Sequence, residues 1–263
     1  MSWDGSSGSE VTIAASGSES ARFGHSVERL TVGSGWRDAY TSDELAAELR
    51  RLLAASNAHT VILRYPTDAP VVARAVGDSG RTVYPAGSLL YWERGTDDAE
   101  PEPGVTVVRS PGISAETLAS IRSLIADSFR GYINHYSANP LMDERLIAEG
   151  YLEWAESTVL DEDNRVFLLD VDGMPAGVAT VESPPGSEHW EIQLAGMKTD
   201  AQGRGDYARL VRGVLASARA EGAARVVIST QAHNVRVQRA WARLGFVPFG
   251  SIDTVHLVRG VEA

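Results

Sequence analysis

MKTDAQGRGDY, residues 197–207, is the stretch on which the reading of this chain turns. An apolar strand over Trp190–Met197 ends, a glycine-rich turn follows, and a helix starts near Gly205 and runs to about Glu221. A turn of this kind exposes backbone N–H groups that the first turn of a helix leaves unpaired, and the helix dipole adds partial positive charge at the same place. A diphosphate is the natural guest of such a site. Taken alone, Gln-Gly-Arg-Gly favours ligand binding only modestly over plain turn chemistry, since many strand–helix turns carry two glycines.

Working outward, a strand is expected over Ala224–Thr230, a helix over Val235–Leu244, and paired strands over Phe246–Val258. Upstream, Val105–Arg109 reads as a strand. Ala115–Phe129 reads as a helix with Leu118, Ile121, Leu124 and Ile125 on one face, and Asp143–Glu156 as another. Arg165–Asp170 and Pro175–Val181 form a hairpin through Asp172-Gly173. Antiparallel strands giving way to β-α-β-α-β predict an α/β fold with a mixed sheet, in which one crossover carries the site.

The first third of the chain is a smaller α/β region. Residues 1–20 are rich in Ser and Gly and are expected to form a mobile arm with a short edge strand at Val11–Ala15. Structured sequence is expected from about Phe23. Thr41 and Glu44 make a capping box ahead of a helix with Leu45, Leu49, Leu52 and Leu53 on one face. Strands at His59–Arg64 and Ser88–Trp92 flank a short helix at Ala69–Val76. The expected organisation is an arm over 1–20, an α/β region over 21–92, an acidic, Pro-containing linker over 93–104, and a second domain over 105–263.

Composition narrows the function classes. The chain has 263 residues, of which 43% are hydrophobic and 22% charged, so a packed core is expected. A formal charge of −11 argues against a general nucleic-acid binder. There is no cysteine, which removes disulfides, thiolate-metal sites and acyl-cysteine intermediates, and no metal is expected. Lys198 is the single lysine among 24 basic residues, a skew that codon usage explains without chemistry. With no signal-like or membrane-spanning stretch, a soluble cytoplasmic protein that does not engage membranes is expected. A homodimer is compatible with the sequence, which does not address it.

A second segment joins the first: His233-Asn234, then Arg239-Ala240-Trp241-Ala242-Arg243-Leu244-Gly245-Phe246. Together the two resemble the GCN5-related N-acetyltransferase (GNAT) superfamily. Gln202, Gly203, Arg204 and Gly205 fit its acyl-CoA motif, while Asn234, Gly245 and Phe246 fit its later segment. The resemblance covers roughly residues 105–260. It implies a GNAT fold, acetyl-CoA as co-substrate, a small amine as acceptor, and direct transfer in a ternary complex. Carried over by position, acetyl-CoA would meet Met197, the turn Gln202, Gly203, Arg204, Gly205 and Asp206, and then Asn234 and Trp241. The Met197 N–H would hold the developing oxyanion. Two positions depart from the family pattern. Tyr207 stands where the motif has Gly or Ala, and Trp241 where many members have an acid-donating tyrosine; an indole N–H is no acid near neutral pH.

A neutral amine needs a base to take its proton. Glu191 and His256 are the leading candidates, with His233 and His135 behind them. His189, Glu191, Gln193 and Ala195 are expected to share one strand face, which is also what a solvated alternation looks like. A lone histidine in the apolar run Thr254–Leu257 is more often a hydrogen-bonded structural group than a base. Tyr132, His135, Tyr136 and Asn139 fall where the fold sets acceptor specificity, although helix packing accounts for each singly. The wider pattern looks like acetyltransferases acting on nucleotide-linked deoxy-amino sugars. Another small amine, or acyl-CoA binding without turnover, remains the alternative.

Overall fold

The computed structural model describes residues 8–109 and 113–260. In chain order the elements are β1 (Val11–Ala15), α1 (Gly17–Phe23), β2 (Val27–Val32), α2 (Ser42–Ala55), β3 (Thr60–Pro66), α3 (Val71–Gly77), β4 (Thr82–Gly95) and β5 (Val105–Arg109). They continue with α4 (Ala115–Ser128), α5 (Glu144–Leu160), β6 (Asn164–Val171), β7 (Met174–Glu182) and β8 (His189–Met197). The last are α6 (Asp206–Ala220), β9 (Arg225–Gln231), α7 (Val235–Arg243) and β10 (Val247–Val258). Contacts divide the chain into two compact units. Among the described residues, one holds 8–90, 133–147 and 250–260; the other holds 91–109, 113–132 and 148–249.

In the first unit β1 pairs antiparallel with β2, β2 parallel with β3, and β3 antiparallel with β10. Leu30, Leu45, Leu49, Leu63 and Leu257 are fully buried in one core beneath α2 and α3. The Thr41 capping box forms as its sequence predicts, with the Thr41 N–H donating to Glu44 Oε2 at 2.8 Å and the Glu44 N–H to Thr41 Oγ1 at 3.4 Å. Part of the expected arm is ordered here: β1 adds to β2, and Glu19 on α1 is buried against Arg29. A Ser/Gly-rich composition conceals that single long-range ion pair.

In the second unit the strand order is β4-β9-β8-β7-β6-β5. Strands β5 to β8 are antiparallel neighbours and β8–β9 is parallel, joined by α6 as the crossover. One face of the sheet packs on α6 through Phe167, Val181, Ile192, Leu210, Val214 and Ile228. The other packs on α4 and α5 through Ile121, Leu124, Ile125, Val159, Val178 and Leu194. Each buried Leu or Ile contributes about 2–3 kcal/mol relative to exposure. The segment expected to be a linker takes part in this packing. β4 runs on to Gly95, Thr96 Oγ1 donates to the Ala223 carbonyl at 2.7 Å, and Glu102 accepts from Arg209 and Arg212 on α6. The expected strand pair at the C-terminus is one twelve-residue strand, β10, which Pro248 and Gly250 do not interrupt. Among the described residues no helix is long and apolar enough to cross a membrane.

Gly213 shows how closely α6 sits on the sheet. A Cβ there would lie 2.6–2.9 Å from Val105 Cγ1, Cβ and Cγ2. Because the Val105 Cβ is itself in the way, side-chain rotation gives no relief. Gly→Ala in a helix interior is ordinarily stabilising by about 1 kcal/mol. Gly213→Ala is expected to reverse that sign and lower stability by about 1–3 kcal/mol, as read from denaturant unfolding. A rise in midpoint would contradict the packing.

Candidate active site

β8 and β9 share a parallel ladder only from His189–Arg225 to Ile192–Ile228, although both strands continue, to Met197 and Gln231. Their C-terminal ends therefore open a crevice, the usual place for a ligand beside a parallel crossover. On its other edge β8 carries a bulge: Val181 faces Ile192 but Thr180 faces Leu194, leaving Gln193 as the extra residue. The Gln193 amide is fixed, donating to Glu182 at 2.6 Å and accepting from Thr158 Oγ1 at 3.1 Å. Leu194 packs with α4 and α5, whereas Ala195 and Met197 pack with α6. The bulge thus corrects the expected face: Ala195 does not share the side on which Gln193 meets α5. Nothing in a strict period of two reveals an inserted residue.

Beyond the bulge, the Lys198 N–H donates to the Ala176 carbonyl at 2.8 Å, and Gly177 stands opposite Met197. In an antiparallel pair, hydrogen-bonded and non-bonded positions alternate, so the Met197 N–H points away from β7 and toward the crevice. The Met197 carbonyl accepts from Gln202 Nε2 at 3.2 Å, and Gln202 Oε1 accepts from Arg236 Nη1 at 3.3 Å. A turn residue and a helix residue therefore hold the end of β8. Arg236 was not anticipated; its signal was a cation in the first turn of the helix that begins after Asn234.

The turn has an open face. Gly203 and Gly205 have φ of 86° and 90°, a region only glycine enters freely, and a Cβ on Gly205 would meet nothing within 4 Å. Among the described residues, the N–H groups of Gly203 and Gly205 donate to no carbonyl. Gln202 and Arg204 are exposed. Asp206 is buried and accepts from Arg209 Nη1 at 3.0 Å, which neutralises a carboxylate at the helix start. These residues fit the diphosphate of an acyl-CoA: turn amides without a backbone partner stand at a helix start, and the space beside Gly205 is open.

Tyr207 leaves the turn clear. Its phenol points inward and accepts the Trp241 indole N–H at 2.9 Å, and burial pushes its pKa well above the ordinary range. Trp241 is itself buried, edge-on to Trp92, and so lies in the core behind the turn. Asn234 Nδ2 donates to Thr230 Oγ1 at 3.0 Å, and the Tyr132 hydroxyl lies 3.4 Å from the same oxygen. Tyr132 belongs to an aromatic cluster with Phe129 and Tyr151, which stack at 5.2 Å, and Trp154 beside them. Glu191 is buried on β8, opposite Glu182 and Val227 in the two ladders. His233 is exposed.

The remaining candidates, His135, Tyr136, Asn139 and His256, come together in the first unit, and His135, Asn139 and His256 are buried. Asn139 Oδ1 accepts the Leu141 N–H at 3.0 Å, so its amide nitrogen faces His256 Nδ1 at 3.3 Å and donates to it. The His256 proton then sits on Nε2 and points to His135 Nδ1 at 2.9 Å. Both rings are neutral in this arrangement, and both His256 nitrogens are engaged. Burial pushes His256 down to about 4 and His135 well below its ordinary value. Alongside, Glu19 accepts two hydrogen bonds from Arg29 at 2.7 and 2.9 Å and one from Tyr136. Burial alone would raise the Glu19 carboxyl, but Arg29 holds it at about 2. The Tyr136 phenol is pushed up to about 12 by burial and by Glu19.

These directions fix a pH response. His256 titrates lower when folded than the 6.5 of a free imidazole, so its contribution is complete above pH 6.5 and is lost as pH falls toward 4. Glu19 continues the loss from 4.5 toward 2. The His256 part is on the order of 3 kcal/mol. Unfolding measured from pH 7.5 to 4 is expected to show this decline, and His256→Gln to flatten it; an unchanged slope would contradict the neutral pair.

Residues 118–246 match the sequence pattern of the acetyltransferase (GNAT) family. No curated protein matches the sequence. A GCN5-related N-acetyltransferase from Kribbella flavida is 18% identical with a TM-score of 0.52, over 89% of this chain and 82% of that one. Another, from Sphaerobacter thermophilus, is 14% identical with a TM-score of 0.56, over 96% and 78%. A tandem GNAT protein from the clavulanic acid biosynthesis pathway is 17% identical with a TM-score of 0.54, over 90% and 76%. At such identities the likeness is one of fold. With the family pattern lying across the glycine turn and the crevice, the chain carries a GNAT acetyltransferase domain and is an acyl-CoA N-acyltransferase.

Proposed function

We propose that the turn Gln202–Asp206 receives the diphosphate of acetyl-CoA, and that the acceptor is the primary amine of a nucleotide-linked deoxy-amino sugar. The observation that carries the first part is the open crevice: the β8–β9 ladder stops at Ile192–Ile228, and a free Met197 N–H lies beyond it, beside unpaired turn amides. Acetyl-CoA supplies an activated acyl carbonyl. The Met197 N–H donates to the carbonyl oxygen as charge gathers there. Glu191 is the favoured proton acceptor: it is a buried carboxylate on β8, one residue before the ladder with β9 ends. The aromatic cluster of Phe129, Tyr132, Tyr151 and Trp154 offers the flat apolar wall that a sugar or base would stack on.

Mass spectrometry on the full chain with acetyl-CoA and a panel of amines tests the acceptor. The panel holds dTDP-4-amino sugars, an aminoglycoside and a peptide with a free N-terminus. Acetylated nucleotide sugar with matching CoA release is the expected result. Product only from the aminoglycoside or the peptide would discard the sugar assignment and keep the enzyme.

Arg236 supplies a second test. Its guanidinium lies 4.0 Å from where a Gly203 Cβ would be, over the turn. Arg236→Ala is expected to weaken acetyl-CoA binding several-fold, about 1 kcal/mol for an exposed charge, with a shallower salt dependence. Unchanged calorimetric affinity would move the diphosphate elsewhere.

A further inference from the structure

Lys198 is the only lysine of the chain, and it directly follows Met197 at the end of β8. The Met197 side chain packs on the α6 face and lies over Gly177, where an added Cβ would be 2.5 Å from its sulfur. Side chains alternate along a strand, so Lys198 leaves toward the opposite face, where α4 ends. Two observations agree. Asp127, in the last turn of α4, accepts the Thr199 N–H at 2.7 Å, and its carboxyl is held below the usual range by that bond, with the Lys198 charge contributing. Lys198 is half-buried, and its own backbone is fixed through the Ala176 carbonyl. A primary amine is therefore carried on a residue whose backbone is fixed, next to the residue whose amide faces the crevice, in a chain whose other cationic side chains are arginines that stay protonated and are poor nucleophiles.

We propose that Lys198 is a self-acetylation site: with no acceptor bound, its amine takes the acyl group from acetyl-CoA. The lysine must first lose a proton to solvent. The neutral nitrogen then attacks the thioester carbonyl, a C–N bond forms, the C–S bond breaks, and the thiolate leaves with the second nitrogen proton as CoA thiol. The product is a neutral amide, and the cation beside Asp127 is lost. The proposal rests on acetyl-CoA occupying the Gln202–Asp206 turn. Proximity of this kind raises the rate of a reaction without any new chemical group.

The test is intact-mass and peptide-mass spectrometry of the full chain incubated with acetyl-CoA alone, with thermal stabilisation by acetyl-CoA followed in parallel. One acetyl unit is expected on the Lys198 peptide, forming at least about tenfold faster than in the urea-unfolded chain. Lys198→Arg is expected to keep the thermal shift and gain no acetyl. Stabilisation by acetyl-CoA without an adduct at Lys198, or equal rates in folded and unfolded chains, would overturn self-acetylation while leaving the cofactor reading intact. Neither stabilisation nor adduct would overturn both.

Discussion

Parallel strands exchange backbone hydrogen bonds only while their axes stay together, and β8 and β9 part after Ile192 and Ile228. The rest of the site depends on that parting. A continuous ladder would consume the Met197 N–H and leave no crevice. The bulge at Gln193 sits at the point of separation, on the edge of β8 that still pairs with β7. An inserted residue bends a strand and raises its twist. One edge of β8 therefore stays bonded to its end, through Gly177–Met197, while the other is released. Thr158 and Glu182 hold the bulged side chain, so the bend is anchored on two neighbouring elements.

A released strand end needs fixing if its amide is to be useful, because an oxyanion donor works by being already in place. The peptide after Met197 is held at both groups: its carbonyl by Gln202 and its N–H by the Ala176 carbonyl. Gln202 is in turn held by Arg236. The same glutamine opens the glycine turn, so the residues that present the turn amides also fix the strand end. Binding at one is mechanically joined to geometry at the other through a single side chain.

The parts of this arrangement that follow local rules were legible in the sequence. The helix after Gly205, the strand before Met197 and the capping box at Thr41 each depend on neighbours within a few residues, and each stands where expected. What escaped depends on partners far along the chain. Glu19 lay within an expected arm because its partner Arg29 is in β2 and Tyr136 is more than a hundred positions away. The histidine pair needs His135 and His256 to meet, which no periodicity encodes. Gln193 looks like an ordinary strand residue in the sequence because a bulge leaves the composition unchanged. Arg236 is one arginine among many in the sequence, and only the fold brings its guanidinium over Gly203.

The two departures from the family pattern, Tyr207 and Trp241, looked like separate obstacles and are one feature. Tyr207 takes the place of a small residue beside the glycine turn, yet its phenol lies inside the protein because Trp241 offers it a donor there. Trp241 is bulkier than a tyrosine and brings a buried N–H, which without an acceptor would cost about 1–3 kcal/mol. The Tyr207 oxygen is that acceptor. Reverting either residue alone leaves the other worse off: a tryptophan with an unsatisfied N–H, or a buried phenol without its donor. The pair also fixes α6 against α7, the helix that carries Arg236. What reads in the sequence as two defects of a ligand site is, in the folded chain, a hydrogen-bonded strut behind an open turn.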